Sequence, residues 1–419
     1  MAAPAPLKQP AFRSLWQAGL ISEAGDWLLF IALPIVVYRQ TGSALGTSFA
    51  FLAELGPAIA LSALAGRLAD RVDRRRLLLV VTVLQSVSIL PLLFVGEHSG
   101  LAIVYGVILT QSALSAMFEP AENALLPSLV PTGELVSANS LVALGGGVAR
   151  LVGGPLGGLL LAAGDLRAIV IADVASYALA AALIRRVPAT PFRRATPIGA
   201  DRPTAPSSAR FLEVLRHRRV RVALAVTFVA DIAQGIFLVL FVVFVAQRLH
   251  GGAGETGLLR GVQAIGAIGA GLVLTAVARH RTPVSLMRDG ALAFGVVSLL
   301  VWNLPALTTS TAVFAGLFAI AGAPGVFMVT GMISFLQQSG EEHERGRIFG
   351  ALGLADNLGE GVGMIAAGVL TGPLGLSTIL DLQGCIYLAV GVLVASALGR
   401  AGTASANDSP LPPTRLANT

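Results

Sequence analysis

Twelve apolar stretches separated by polar loops fill most of this 419-residue chain. Each runs to about 20 residues, the length at which an α-helix spans the ~30 Å hydrocarbon core of a bilayer. No water satisfies backbone N–H and C=O groups there, so a segment that bonds internally is required, and a helix is one. The runs fall near 13–38, 44–65, 77–95, 101–119, 139–162 and 167–184, then 221–247, 257–278, 284–303, 311–336, 347–370 and 376–399. Composition agrees. Hydrophobic residues make up 55% and charged residues 12%, whereas soluble domains carry about 25% charged residues. The mean hydropathy is +0.78. The 48 glycines suit close packing of membrane helices.

An even number of spans puts both termini on one side. The termini and even-to-odd loops hold 24 Lys and Arg residues, whereas the opposite loops hold four: Arg39, Arg167, Arg248 and Arg260. Positive loops stay in the cytoplasm, so both termini are expected there, in a bacterial inner (plasma) membrane. The N-terminal residues lack a cleavable signal, and the first run reads as a retained helix. The net charge of +6 sits in these loops, which argues against nucleic-acid binding.

Residues 185–220 form the one long loop. It begins with Arg185-Arg186, continues through a proline-rich linker and ends in Phe211–Arg219, which reads as an amphipathic helix on the membrane surface. The expected organisation is a six-helix bundle over 1–184, this linker over 185–220, a second six-helix bundle over 221–400 and a disordered tail over 401–419. The halves also resemble each other. An offset of 205 brings Asp26 onto Asp231, Gly66 onto Gly271, Arg74 onto Arg279 and Arg76 onto Arg281. An offset of 210 brings Gly153 onto Gly363 and Gly158 onto Gly368. Paired repeats around a midplane cavity are a transporter architecture.

The loop Gly66-Arg-Leu-Ala-Asp70-Arg71-Val-Asp73-Arg74-Arg75-Arg76 resembles the signature between the second and third helices of the major facilitator superfamily. Asp73 stands where that signature has its second glycine. Gly153-Gly-Pro155-Leu-Gly-Gly158 resembles in part the proline-glycine antiporter signature of the fifth helix, with Pro155 one place late and Arg150 at an earlier glycine position. Ser22–Trp27, Thr41-Gly-Ser43 and Ala138-Asn139 are similar to the enterobactin-exporter and macrolide-efflux branch of drug:proton antiporters. The resemblance implies an all-α membrane protein of twelve helices in two pseudo-symmetric bundles. It also implies a cytoplasmic gate. Gly66 would let a facing helix approach, and Asp70 would accept hydrogen bonds from the start of the eleventh helix and pair with Arg71 or Arg75.

Ionisable residues inside spans are costly at about 2.5–3.5 kcal/mol each near the helix centre, so they face a cavity or a partner. Asp26 and Asp231 occupy matching places in the first and seventh spans and are the leading proton-coupling or substrate-binding candidates. A carboxyl in a poorly hydrated cavity holds its proton more readily. Glu23 shares a helix face with Asp26. Glu54 lies beside Gly56-Pro57, and Arg150 requires a counter-charge. Asp356 and Glu360 are four apart on one face, and Asp173 and Asp381 are weaker candidates. Trp27, Phe30, Phe237 and Phe318, with Phe241, Phe327 and Met328, are candidate cavity walls. Trp16 and Trp302, near span ends, read as interfacial anchors.

The chain carries no P-loop, and its five histidines have no metal-ligand spacing. Its one cysteine, Cys385, permits no intrachain disulfide. No enzymatic activity, cofactor or metal is expected. The expected function is proton-coupled efflux of a small amphipathic molecule (drug-, macrolide- or siderophore-like) by a monomer whose other partners are protons and the bilayer. An importer of the same fold and a non-transporting receptor or assembly protein are the alternatives.

Overall fold

A computed structural model describes residues 5–69, 72–96, 99–164, 166–188, 217–277, 281–339 and 344–398. Twelve α-helices run through them: α1 (Pro10–Thr41), α2 (Ala44–Ala69), α3 (Arg74–Ser88), α4 (Leu101–Leu125), α5 (Leu135–Ala162), α6 (Leu166–Ile184), α7 (Arg218–Gln247), α8 (Ala253–Val277), α9 (Pro283–Asn303), α10 (Thr311–Ser339), α11 (Arg345–Leu374) and α12 (Leu376–Ala397). Eleven, with α3 extended by the 3-10 turn Leu90–Phe94, are long and apolar enough to cross a membrane. The other, α11, is 30 residues long, but glycines, Asn357 and the carboxyls of Asp356 and Glu360 dilute its apolar character. It packs between α2 and α7, where a polar stripe meets protein.

Local chemistry sets the ends. Gly42, with φ of 62°, turns the chain from α1 into α2, a conformation that glycine adopts without steric cost. Asp73 caps α3 by accepting a hydrogen bond from the Arg76 N–H at 2.8 Å. That cap is what this chain gains where the family signature has glycine. Thr282 caps α9 in the same way, accepting from Ser285 N–H at 3.2 Å. Prolines inside α1, α2, α4, α5, α10 and α11 are tolerated because neighbouring helices and side chains re-satisfy freed backbone groups.

The packing repeats with a step of six helices. Helix α1 packs on α5 and α6, as α7 packs on α11 and α12. Likewise α2–α4, α3–α4 and α3–α6 are matched by α8–α10, α9–α10 and α9–α12. The two lobes meet through α5 on α8 and α2 on α11, which are equivalent pairs under the same step. At α5–α8 the backbones almost touch. A methyl group added at Gly158 would fall 2.9 Å from Gly257 Cα and 3.0 Å from its nitrogen. At α2–α11 the Ser48 hydroxyl donates to the Met364 carbonyl.

The buried apolar clusters divide the molecule by depth. One joins both lobes, drawing on Leu28–Val37 of α1, Ile236–Val245 of α7, Phe314 and Phe318 of α10, and Met364 and Ala367 of α11. It lies toward the face opposite the arginine-rich loops. Among the described residues, the clusters nearer the arginine-rich face each stay within one lobe. Outward-facing apolar residues such as Val80, Val83 and Val87 of α3 are exposed, as contact with lipid requires.

Some boundaries differ from the sequence reading. Helix α4 continues through Pro120 to Leu125, so Glu122 joins Glu119 within the bundle. Helix α8 starts at Ala253, which places Arg260 within a span and removes it from the loop count. Arg218 and Arg219 open α7. The remainder of the amphipathic segment and the linker, residues 189–216, lie outside the described residues, as does the 401–419 tail.

Candidate functional site

Two cavities in the first lobe meet at Asp26. One, of about 300 Å³, is walled by α1, α2 and α4 and lined by Asp26, Phe30, Glu54, Gln111 and Glu119. The other, of about 570 Å³, lies toward the arginine-rich face and is lined by Trp16, Glu23, Asp26, Glu119 and Glu122. Asp26 lines both. The phenol of Tyr177, buried on α6, donates to Asp26 Oδ1. That bond fixes the carboxyl against the helix and leaves its other oxygen to meet a proton or a ligand. Replacing Tyr177 by Phe removes one hydrogen bond of roughly 1–3 kcal/mol. The expected result is a folded protein with a lowered thermal unfolding midpoint, checked by thermal unfolding of the purified variant beside the unaltered protein.

Glu54 is exposed into the 300 Å³ cavity. Glu23 rests against α5, where a methyl group at Gly146 would fall 2.9 Å from its Oε1. Asp173 is fully buried on α6 beside Gly25, with Ser176 Oγ 3.0 Å from its Oδ1. In the second lobe Asp231 packs against Gly359 of α11, where an added methyl group would meet its Cβ at 3.0 Å. Its carboxyl is within hydrogen-bonding reach of Asp356. Tyr387 of α12, the repeat partner of Tyr177, reaches Gln234 on α7 at 3.4 Å. Asp381 accepts from Asn303 at 2.7 Å near the start of α12 and joins neither group.

Arg150 and Arg260 converge between the lobes. Arg150 on α5 and Arg260 on α8 both donate to Gln263 Oε1, at 3.3 and 3.0 Å. Arg150 lies 5.6 Å from the ring centre of Trp27, and Arg260 lies 5.9 Å from Phe30 and 5.0 Å from Phe237. Among the described residues no carboxylate comes within 4.0 Å of either guanidinium. In place of the expected counter-charge, Arg150 therefore meets an amide oxygen and an aromatic face. Glu54 and Glu360 are the acids whose charge Arg260 senses at longer range.

Some aromatic residues depart from the roles expected of them. Phe318 is 1% exposed, and Phe237 packs on Phe241 and Trp302; they form an aromatic core and not an open wall. Trp27 and Phe30 stack edge-on at 4.7 Å, and Phe30 does face a cavity. Trp302 is not an interfacial anchor. It is buried among Phe237, Phe244 and Phe318, with its indole N–H on Gln383 at 2.9 Å. Trp16 lines the larger cavity and donates to the Leu141 carbonyl at 2.8 Å.

Of the gate candidates, Asp70 and Arg71 lie outside the described residues, and Gly66 lies on α2. Arg75 donates to the Ile184 and Arg185 carbonyls at the end of α6, at 3.3 and 2.5 Å. Arg74 donates to Ala124 near the end of α4 at 2.8 Å. A cation at a helix C-terminus meets orphan carbonyls and the negative end of the dipole. These two arginines thus tie α3 to α6 and α4 within one lobe.

Arg260, Gln263, Tyr177, Glu119 and Glu122 escaped the sequence reading. Tyr177 and Tyr387 are separated by 210, the offset that relates Gly153 to Gly363, and that regularity was the available signal. Arg260 was hidden because a charge near a span end reads as a loop residue.

The model of the family described as Major Facilitator Superfamily matches residues 15–340 and 223–417. The chain belongs to the Major Facilitator Superfamily. It is a multi-pass membrane transporter, and transporters of this kind carry small molecules. The resemblance read from the 66–76 loop holds. An uncharacterised MFS-type transporter, YfiS of Bacillus subtilis (strain 168), is 26% identical over 410 residues, covering 92% of this chain and 94% of YfiS. Multidrug efflux pump Tap of Mycobacterium tuberculosis (strain ATCC 25618 / H37Rv) is 27% identical over 386 residues, 88% of each chain. Macrolide efflux protein A of Streptococcus pyogenes is 26% identical over 171 residues, 40% of this chain and 42% of that protein. Among solved structures, a mutant of the peptide transporter POT in complex with sulfate has a TM-score of 0.75 at 11% identity, covering 94% of this chain and 95% of that one. That likeness concerns the fold alone. This member of the superfamily therefore pairs an all-helical two-lobe fold with acid-lined cavities inside one lobe.

Proposed function

We propose that this transporter is a proton-coupled exporter of small amphipathic molecules that works by alternating access in a bacterial inner membrane, with both termini cytoplasmic. The position of Asp26 carries the reading: its carboxyl, held by Tyr177, borders both cavities, with Glu119 facing both from α4. A proton there and a substrate there compete for the same space and charge. The apolar cluster that joins the lobes lies away from the arginine-rich face, which supports a conformation open to the cytoplasm. Substrate would enter from that side. Rocking of the lobes about α5–α8 and α2–α11 would then expose the site outward, and a proton would displace the cargo. Glu54, Glu23, Asp231, Asp356 and Glu360 are the further acids available to the cycle. The names of Tap and macrolide efflux protein A support export as the direction.

Gly66, Asp70, Arg71 and Arg75 form the proposed cytoplasmic gate. Asp70→Asn is expected to leave insertion intact and abolish transport, read as normal membrane abundance with dye accumulation equal to that of empty cells. Normal efflux by that variant removes the gate.

Accumulation of a panel of amphipathic dyes, with and without protonophore, tests the function. Export gives lower accumulation in expressing cells that the protonophore reverses. Higher accumulation means import, and no difference over the panel means no transport of such molecules.

A further inference from the structure

We infer that Arg150 and Arg260 together form a seat for an anionic group, and that the amphiphile carried by this protein bears an acid of the carboxylate type. The inference rests on the reading that substrate occupies the cavities that meet at Asp26, one of which Phe30 walls. Each guanidinium has five N–H donors, and the pair converges on one oxygen, Gln263 Oε1, from opposite lobes. The Arg150 Nε is buried and bonds to nothing among the described residues. Two like charges sharing one neutral acceptor repel, and a planar acid that accepts from both forks relieves that repulsion. A purely structural role explains the pair poorly, because apolar residues of similar volume stabilise a buried contact at least as well.

The surroundings define the rest of the ligand. Trp27, Phe30 and Phe237 present ring faces to the two guanidiniums, and Phe30 also walls the 300 Å³ cavity. An acid head between the arginines would leave an apolar or aromatic body along that wall. Glu54 and Glu360, the acids nearest in charge to Arg260, stand one on each lobe and bias the seat against a bare small anion, which gains no apolar contact in return. Because the arginines come from different lobes, an acid held by both favours one relative position of the lobes and is released when they rock.

The test is calorimetric titration of the full-length protein in detergent with 2-naphthoate, its uncharged analogue 2-naphthamide, and acetate. The acid is expected to bind at least tenfold more tightly than either of the others. Arg150→Gln and Arg260→Gln should each erase the preference for acid over amide, and Arg260→Lys should keep part of it. The wild-type comparison stands even if a variant fails to fold. Acid binding no tighter than the amide, including no binding of either, overturns the seat. So does a preference that survives both Gln variants. Acetate binding as tightly as naphthoate overturns the amphiphile. Dye efflux from cells separates the two levels: if neutral dyes are exported while the acid shows no preference, the seat alone fails, and if nothing is exported, the transport reading fails.

Discussion

Asp26→Asn should leave the protein folded, inserted and able to accept the Tyr177 hydroxyl, yet unable to sustain a substrate gradient. The amide matches the carboxyl in size and offers the same acceptor oxygen, so the α1–α6 contact survives. What it loses is the ability to gain and lose a proton. One charge crossing ~100 mV is worth about 2.3 kcal/mol, and at about 1.4 kcal/mol per tenfold that sustains a gradient of roughly 40-fold. The variant's gradient should collapse to about unity while substrate exchange down its own gradient continues. Measuring both uphill efflux and exchange in the same vesicles separates lost coupling from lost folding. Retained uphill efflux would show that another acid carries the proton.

Gly158→Val is the second large effect expected. At Gly158 a side chain meets one turn of α8 backbone: the Ala253 carbonyl, and Gly257 Cα and N at 2.9 and 3.0 Å. Backbone cannot rotate away as a flexible side chain can, so α5 and α8 must part. Overpacking costs typically about 1–3 kcal/mol, and here the strain falls on a junction between lobes. The expected outcome is a lower thermal unfolding midpoint together with loss of efflux. Gly106→Val on α4 is the control, since a methyl group there meets nothing within 4 Å; it should transport normally. Equal behaviour of the two variants would mean that the α5–α8 contact does not govern transport.

Apolar length alone marked twelve helices in the sequence, because a bilayer imposes one solution on the backbone. The six-helix repeat was visible in Asp26 and Asp231 and in Gly153 and Gly363, residues whose chemistry is rare enough in a span to stand out. Apolarity ends near 119, yet α4 continues through Pro120 to Leu125. Arg260 misled because its charge is offset by Gln263 and two aromatic faces that only tertiary packing assembles. Trp302 lies near a span end in sequence, yet the neighbouring Phe237, Phe244 and Phe318 bury it. Asp73 looked like a departure from a motif until its bond to the Arg76 N–H showed a helix cap. In each case the missing information was a contact with a residue distant in sequence or a backbone state that the side chain itself stabilises.

Everted membrane vesicles test the central claim most directly. They are energised to a fixed proton gradient, the lumen is monitored with a pH-sensitive dye, and amphipathic compounds are added one at a time. Proton-coupled export through the Asp26 site predicts that a transported compound releases lumenal protons in wild-type vesicles and fails to do so in Asp26→Asn vesicles of equal protein content. Uptake of that compound with no proton release, or identical release from both vesicle types, would contradict it.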